Sequence, residues 1–246
     1  MTYVSILLAL ALAPGAYLAF STYLKDKYEP EPKKLLLGTF LTGCIMIIPA
    51  AIIELGATSL LGCKGPGLSN ALLMSFLVVG PVEEGAKFWA LRYYAYPKKE
   101  FNEPFDGIVY GAFVALGFAT LENVFYVLQH GFAVGILRMF ISVPGHYAFG
   151  VIMGYYLGKA KFEAKNQARY MRRGFFSAVI LHGAFDFFIL QKIYPALYLF
   201  TIVVLVVALR MARREIKELQ ADSLLRSQNT PPVLPVVPVE EPRIES

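Results

Sequence analysis

The sequence predicts an all-α protein, a polytopic transmembrane bundle of about seven spanning helices. Of the 246 residues, 57% are hydrophobic and 17% are charged, whereas soluble domains are about 45–50% apolar and about 25% charged. The apolar residues form long runs, and a run of roughly 17–25 residues can cross a hydrocarbon layer about 30 Å thick. Because a helix satisfies its own backbone polar groups in lipid, each run is expected to be helical.

Seven apolar runs follow one another along the chain. They cover residues 3–24, 35–61, 71–96, 107–129, 132–158, 174–191 and 195–210. The first run lacks the basic n-region of a secretory signal and is expected to be an uncleaved span. Glycines in the fourth and fifth runs favour close packing of two helices. After residue 216 the apolar pattern stops and proline becomes frequent, which predicts a transmembrane domain of residues 1–216 and a flexible cytoplasmic tail of residues 217–246.

The connections between the runs differ strongly in charge. Segments 25–34, 92–99 and 159–173 contain thirteen Lys and Arg residues, and the alternate connections contain two. Since Lys and Arg accumulate in cytoplasmic loops, the N-terminus is expected outside and the C-terminus in the cytoplasm of a multi-pass inner-membrane protein. The net charge of +5 therefore marks topology, and no nucleic-acid partner is expected.

Ionisable side chains inside spans are costly and mark functional sites. Counted from the cytoplasmic ends at about 1.5 Å per residue, such groups in four different runs lie at similar depths near the bilayer centre. Glu54 is excluded because it lies near the outer end of its run, where its side chain can reach the interface. The predicted catalytic residues are Glu83, Glu84, Glu122, His146, His182 and Asp186, with Lys87 and Asn123 in supporting positions.

The spacing of these residues indicates water activation. His182 and Asp186 are four positions apart and share one helical face, as do Glu83 and Lys87. Adjacent carboxylates and histidines in a cavity of low dielectric can activate water near neutral pH. No metal ion or cofactor is predicted, because the helical HExxH zinc motif is missing.

Three other interpretations stay open. Glu and His are ordinary zinc ligands, so a metal-dependent membrane protease is one of them. Carboxylates and histidines inside a membrane can also form the proton relay of a proton-coupled carrier. The third is a membrane scaffold with a vestigial site.

Several motifs together resemble the PrsW-type membrane proteases, within the broader superfamily of Abi proteins and CAAX prenyl endopeptidases. The match covers about residues 25 to 190. It rests on EPEP at 29–32, EEGAK at 83–87, FDGIVYGAFVALGFATLEN at 105–123, HYAFG at 146–150 and LHGAFDF at 181–187.

This resemblance implies a glutamate-dependent, metal-independent peptidase that cuts a single-pass membrane protein, such as an anti-sigma factor, in or near the bilayer. It implies that Glu83 activates water with support from Glu84. His182 and Asp186 match an HxxxN element that stabilises the oxyanion. The superfamily's FxxxH motif is FxxxE here, from Phe118 to Glu122, so His146 is the candidate for the missing histidine.

Overall fold

The computed structural model describes residues 2–62 and 65–229, and this part of the chain contains helices and no strands. The predicted all-α fold is confirmed. The α-helices of the described residues are α1 (Tyr3–Lys25), α2 (Lys33–Leu61), α3 (Leu68–Leu73), α4 (Gly80–Ala90), α5 (Pro104–His130), α6 (Phe132–Phe140), α7 (Ser142–Phe162), α8 (Gln167–Leu190) and α9 (Tyr198–Asn229).

Within the described ranges, six helical segments are long and apolar enough to cross a membrane. They are Tyr3–Lys25, Lys33–Leu61, Pro104–His130, Phe132–Phe162, Ala164–Leu190 and Pro195–Asn229. The one predicted run that is not among these six is the third, residues 71–96. It is also helical, but π-helical segments at Met74–Val79 and Leu91–Ala95 flank its α4 portion. Its charged residues, Glu83, Glu84, Lys87 and Arg92, make it less hydrophobic than the other six segments.

The pair formed by α5 and α7 lies at the centre of the bundle, and these are the most buried of the spanning segments. Glycines allow the two backbones to approach closely. A Cβ atom at Gly150 would lie 2.6 Å from the carbonyl oxygen of Gly111, and one at Gly107 would lie 2.6 Å from the nitrogen of Gly158. The prediction that glycines in these runs permit close helix packing is therefore confirmed.

The connections rich in Lys and Arg meet at one end of the bundle, which we call the basic end (residues 25–34, 92–103, 159–173 and 210–229). There Lys161 Nζ donates to the carbonyl oxygen of Tyr96 at 2.6 Å. The Gln220 amide donates to the carbonyl oxygen of Lys25 at 2.7 Å. The opposite end contains the contact between Gly67 N and Gln191 O, at 3.0 Å. When the helical residues 71–96 are counted with the six spanning segments, successive segments run in alternating directions.

The last helix, α9, continues past the predicted domain boundary. Residues 217–229 are helical, and Leu219 and Ser223 are buried, so this part of the expected flexible tail is an ordered helix. The physical reason is that Ile216 and Leu219 are one helical turn apart and share a buried face. The proline-rich part of the predicted tail, residues 230–246, lies outside the described residues.

Candidate active site

Helix α4 places two glutamates and a lysine on one buried face. Lys87 Nζ lies 3.1 Å from Glu83 Oε2 and 2.8 Å from Glu84 Oε1. Side chains three and four positions apart on a helix are neighbours, which explains how one ammonium contacts both carboxylates. A π-helical segment, Met74–Val79, precedes α4, and such segments are frequent at functional sites. Pro81 lies in the first turn of α4, where proline is tolerated.

His146 of α7 connects this face to α5 and α6. Its Nδ1 atom lies 2.9 Å from Lys87 Nζ, and its Nε2 atom lies 3.0 Å from Glu122 Oε2. Glu122 in turn forms an ion pair with Arg138, at 2.6 Å from Oε2 to Nη2. His146 therefore lies between an ammonium on one side and a carboxylate on the other. That arrangement fits a ring that accepts a hydrogen bond at Nδ1 and donates one at Nε2.

His182 of α8 contacts the carboxylates from the other side. Its Nδ1 atom lies 2.8 Å from Glu84 Oε1. Its Nε2 atom lies 3.4 Å from Asp186 Oδ2 and 3.9 Å from Glu83 Oε2. The ring stacks on Phe149, with the centroids 5.3 Å apart, which fixes its plane. His182 is thus held between three carboxylates that come from two helices.

The structure brings all six predicted catalytic residues and Lys87 into one connected group. We call it the central cluster, consisting of Glu83, Glu84, Lys87, Glu122, Arg138, His146, His182 and Asp186. Asn123, the other predicted supporting residue, lies beside it. Its side-chain oxygen accepts from Arg138 Nε at 3.1 Å, and its amide donates to the carbonyl oxygen of Ala11 at 3.1 Å. Asn123 therefore orients Arg138.

Sequence reasoning missed two residues of this region. Arg138 lies inside an apolar run, so the rule that charges in spans mark functional sites would have found it. Glu54, which the sequence analysis left out, lines the same cavity as Glu83 and Glu122, and Glu54 Oε1 is buried without a hydrogen-bond partner among the described residues. Counting positions along α2 gives no information about which direction a residue near its end faces.

A cavity of about 730 Å³ lies against the central cluster. Its walls are largely apolar, formed by residues of α2, α5, α6, α8 and α9, and include Phe118, Leu137, Phe185 and Ile202. The carboxyl, guanidinium and imidazole groups at its surface are those of Glu54, Glu83, Glu122, Arg138, His146, His182 and Asp186. An apolar cavity with a few convergent polar groups is the usual form of a binding or catalytic site.

Three residues of the central cluster fit a metal ion by donor type and spacing. Glu83, His146 and His182 are buried, and one ligand atom of each lies within 4.8 Å of the other two. One carboxylate and two imidazoles form a common catalytic zinc site. The Lys87 ammonium contacts His146 Nδ1 at 2.9 Å, so it would compete with an ion for that nitrogen.

Comparison with known proteins places this geometry in context. Residues 31–211 match the family described as PrsW family intramembrane metalloprotease. The protein named Protease PrsW of Geobacillus kaustophilus (strain HTA426) is 38% identical over 229 residues, which cover 92% of this chain and 97% of that protein. The protein of the same name from Bacillus subtilis (strain 168) is 38% identical over 74% of this chain and 81% of its own length. The one from Clostridioides difficile (strain 630) is 36% identical over 81% of this chain and 86% of its own length. No solved structure matches.

Proposed function

The chain belongs to the PrsW family of intramembrane proteases, and we propose that it hydrolyses a peptide bond of a membrane protein with a water molecule activated by Glu83. The observation that carries this proposal is the position of Glu83 Oε2. It lies at the cavity, 3.1 Å from Lys87 Nζ and 3.9 Å from both His146 Nδ1 and His182 Nε2. A carboxylate in that position can accept a proton from a water molecule in the cavity.

The proposed reaction uses the groups around Glu83 in separate roles. Glu83 takes a proton from water, and the resulting hydroxide attacks the carbonyl carbon of the substrate. His182, which donates to Glu84 through Nδ1, donates through Nε2 to the oxyanion that forms, and Asp186 orients that side of the ring. The tetrahedral intermediate then collapses with cleavage of the C–N bond, and Glu83 passes its proton to the leaving nitrogen. Each bond cut gives one new carboxyl group, which releases its proton to solvent, and one new amine.

Lys87 and His146 are positioning residues in this scheme. Lys87 keeps the two adjacent carboxylates, Glu83 and Glu84, from repelling each other at short range. His146 supplies the histidine that the FxxxE segment from Phe118 to Glu122 lacks, and Glu122 fixes its orientation through Nε2 at 3.0 Å.

The cavity supports a substrate that comes from the bilayer. Its walls are apolar, and its 730 Å³ would hold a short unfolded segment of a spanning peptide. We propose that the substrate is a single-pass membrane protein, with an anti-sigma factor as the type of partner, and that the enzyme works in the inner membrane. Membership of a protease family does not support the two other interpretations, a proton-coupled carrier and a scaffold with a vestigial site.

Comparative membrane proteomics of cells with the wild-type chain and cells with Glu83→Gln tests this function. One single-pass protein is expected to change length in a Glu83-dependent way, and the variant should lose about 10²-fold or more of its activity on that protein in proteoliposomes. Glu163→Gln, an exposed position at the basic end, is the matched control and should behave as wild type. Full activity of Glu83→Gln would exclude the mechanism.

A metal-dependent protease is the second candidate, favoured by the description of the matching family as an intramembrane metalloprotease and by the grouping of Glu83, His146 and His182. When bound there, an ion would polarise the substrate carbonyl and help to generate the nucleophile. Incubation with EDTA and phenanthroline, followed by addition of zinc, distinguishes the two candidates. We expect activity to persist in chelators. Loss of activity that zinc restores, together with zinc bound stoichiometrically to wild type but not to His146→Ala, would establish the metal-dependent alternative.

A further inference from the structure

A second group of buried acidic residues lies at the basic end, away from the central cluster. We call it the end cluster, consisting of Asp26, Glu31, Glu103 and Asp106, each of which is at most 4% exposed. Asp26 and Glu31 come from the connection between α1 and α2, and the other two from the start of α5. Along α5, Asp106 is 16 residues from Glu122, which corresponds to about 24 Å. The end cluster is therefore a separate site.

Hydrogen bonds hold the end cluster in place. Asp26 Oδ2 accepts from the backbone nitrogen of Glu31 at 2.9 Å, and Asp106 Oδ2 accepts from the backbone nitrogen of Glu103 at 2.8 Å. Ser223 of α9 donates to Glu103 Oε1 at 2.8 Å, and Tyr110 donates to Glu31. Each of these bonds uses one oxygen of a carboxylate. The other oxygens of the two aspartates remain to be explained.

Those remaining oxygens point to a missing ligand. Among the described residues, Asp26 Oδ1 is shielded from solvent and has no hydrogen-bond partner. Asp106 Oδ1 is also shielded and has no N–H or hydroxyl donor, and the Asp106 carboxyl contacts that of Glu31. Leaving buried acceptors unsatisfied is costly, and native structures contain few of them. Ligand oxygens of Asp26, Glu103 and Asp106 also lie within 4.8 Å of one another. Three carboxylates whose oxygens lie this close together, one of them with an unpaired oxygen, favour a cation between them.

We propose that Asp26, Glu103 and Asp106 bind a divalent cation of the hard, oxygen-liganded type, with Ca²⁺ preferred over Mg²⁺. All three donors are carboxylates, which select hard cations over zinc or copper. The site is shielded, and Mg²⁺ usually keeps several waters, whereas Ca²⁺ accepts irregular sets of protein oxygens. By joining the α1–α2 connection to the start of α5, the ion stabilises the end of the bundle that α9 covers.

The ionisation of these groups agrees with such a site. Burial raises the pKa of Asp26 to about 6 and that of Glu31 to about 7, and it also raises the pKa of Glu103. The other charged groups that face the cluster are Glu29, which opposes ionisation, and Lys161 and Arg226, which favour it. A bound ion and protons therefore compete for the same carboxylates.

Terbium luminescence and thermal unfolding test the proposal on the full chain, purified in detergent and freed of metal with EDTA. Tb³⁺ mimics Ca²⁺, and Tyr110, which is hydrogen-bonded to Glu31, lies where it can transfer excitation energy to the ion. Tb³⁺ emission should saturate, and CaCl₂ should displace it at lower concentration than MgCl₂. At pH 7.5, saturating CaCl₂ should raise Tm by about 3 °C or more.

Variants locate the ion. Asp106→Asn and Asp26→Asn should each weaken Tb³⁺ binding at least tenfold and remove most of the CaCl₂ effect on Tm. Asp222→Asn, an exposed aspartate next to Ser223 on α9, should respond as wild type. Glu83→Gln should also bind Tb³⁺ as wild type does, so a failure of the proposed catalytic role leaves this test unaffected.

Several results would overturn the proposal. One is wild-type protein that shows no saturable Tb³⁺ signal, a measurement that needs no variant to fold. Another is an equal CaCl₂ effect in all variants, which would mean binding elsewhere on the surface. A third is a combination of two results: in EDTA the Tm of Asp26→Asn is higher than that of wild type, and CaCl₂ does not change the Tm of wild type. Protons rather than an ion would then neutralise the end cluster.

Discussion

The central cluster and the end cluster are both buried and rich in carboxylates, but they balance their charge differently. In the central cluster Lys87 and Arg138 lie within 3.1 Å of the glutamates they pair with, and two histidines complete the network. The end cluster is held mainly by backbone N–H groups and two hydroxyls. A site whose cations contact its carboxylates directly can keep fixed charges for chemistry. In the end cluster Lys161 and Arg226 face the carboxylates, and we expect exchangeable protons or ions to complete the charge balance.

Of the substitutions considered, the removal of the Lys87 ammonium from the central cluster is expected to have the largest effect on stability and activity. Lys87→Met leaves Glu83 and Glu84 buried without their shared partner, and breaking a buried ion pair costs about 3–5 kcal/mol. The melting temperature in detergent should fall markedly, and proteolysis should be lost. Lys34→Met, an exposed lysine on α2, is the control and should change little.

A double variant makes that prediction sharper. Lys87→Met combined with Glu84→Gln removes one of the two uncompensated charges, so it should be more stable than Lys87→Met alone. If the single variant is as stable as wild type, Lys87 is not what balances the central cluster.

The His182–Asp186 pair is expected to give the next largest effect, because it distinguishes a hydrogen-bond donor from a charge. His182→Ala should lose about 10²-fold or more of activity. Asp186→Asn should keep part of the activity, since asparagine still forms hydrogen bonds and stands at the matching place in the related superfamily. A complete loss in Asp186→Asn beside a tolerant His182→Ala would reverse the assignment of the two roles.

The end cluster, in contrast, should make stability depend on pH. The folded pKa of Asp26 is about 6 and that of Glu31 about 7, both above the values near 4 of unfolded chains. Stability in EDTA should therefore be greatest near pH 4–5 and fall as pH rises to about 8. Asp26 contributes about 2 kcal/mol of this loss after allowance for solvent screening. Asp26→Asn should flatten the profile of Tm against pH, and an unchanged profile would contradict the assignment.

The smallest perturbation tests which side of the membrane each cluster faces. Ala164→Cys and Pro66→Cys are introduced into a chain whose native cysteines, Cys44 and Cys63, are replaced by Ser. In intact cells an impermeant thiol reagent should label position 66 and not position 164, because the basic end is expected in the cytoplasm. Labelling at position 164 would place the end cluster outside the cell.

The features that could be predicted from the sequence are those that depend on hydrophobic composition and on the spacing of residues along the chain. Apolar runs predicted the helices, and charged residues at similar depths in four runs predicted every member of the central cluster except Arg138; these residues are in contact in the structure. The reason is that lipid makes an internal charge so costly that each one is informative. The motif spacing also identified the family correctly.

What the sequence could not predict depends on tertiary packing. The direction of Glu54 is set by how α2 lies against α5, which no local pattern contains. The helical continuation to Asn229 depends on Leu219 and Ser223 packing against the rest of the bundle. The end cluster joins one pair, Asp26 and Glu31, to a second pair, Glu103 and Asp106, that lies 72 or more positions further along the chain, so only the fold shows that the two pairs meet.

The length of α9 has a structural consequence. Its 32 residues extend about 48 Å, well beyond a hydrocarbon layer of about 30 Å. One end contributes Thr201 and Ile202 to the cavity wall, and the other donates a hydrogen bond from Ser223 to Glu103. One continuous helix thus extends from the basic end to the cavity in which a peptide would bind. The end cluster and the cavity wall therefore share one structural element, which contributes none of the side chains of the central cluster.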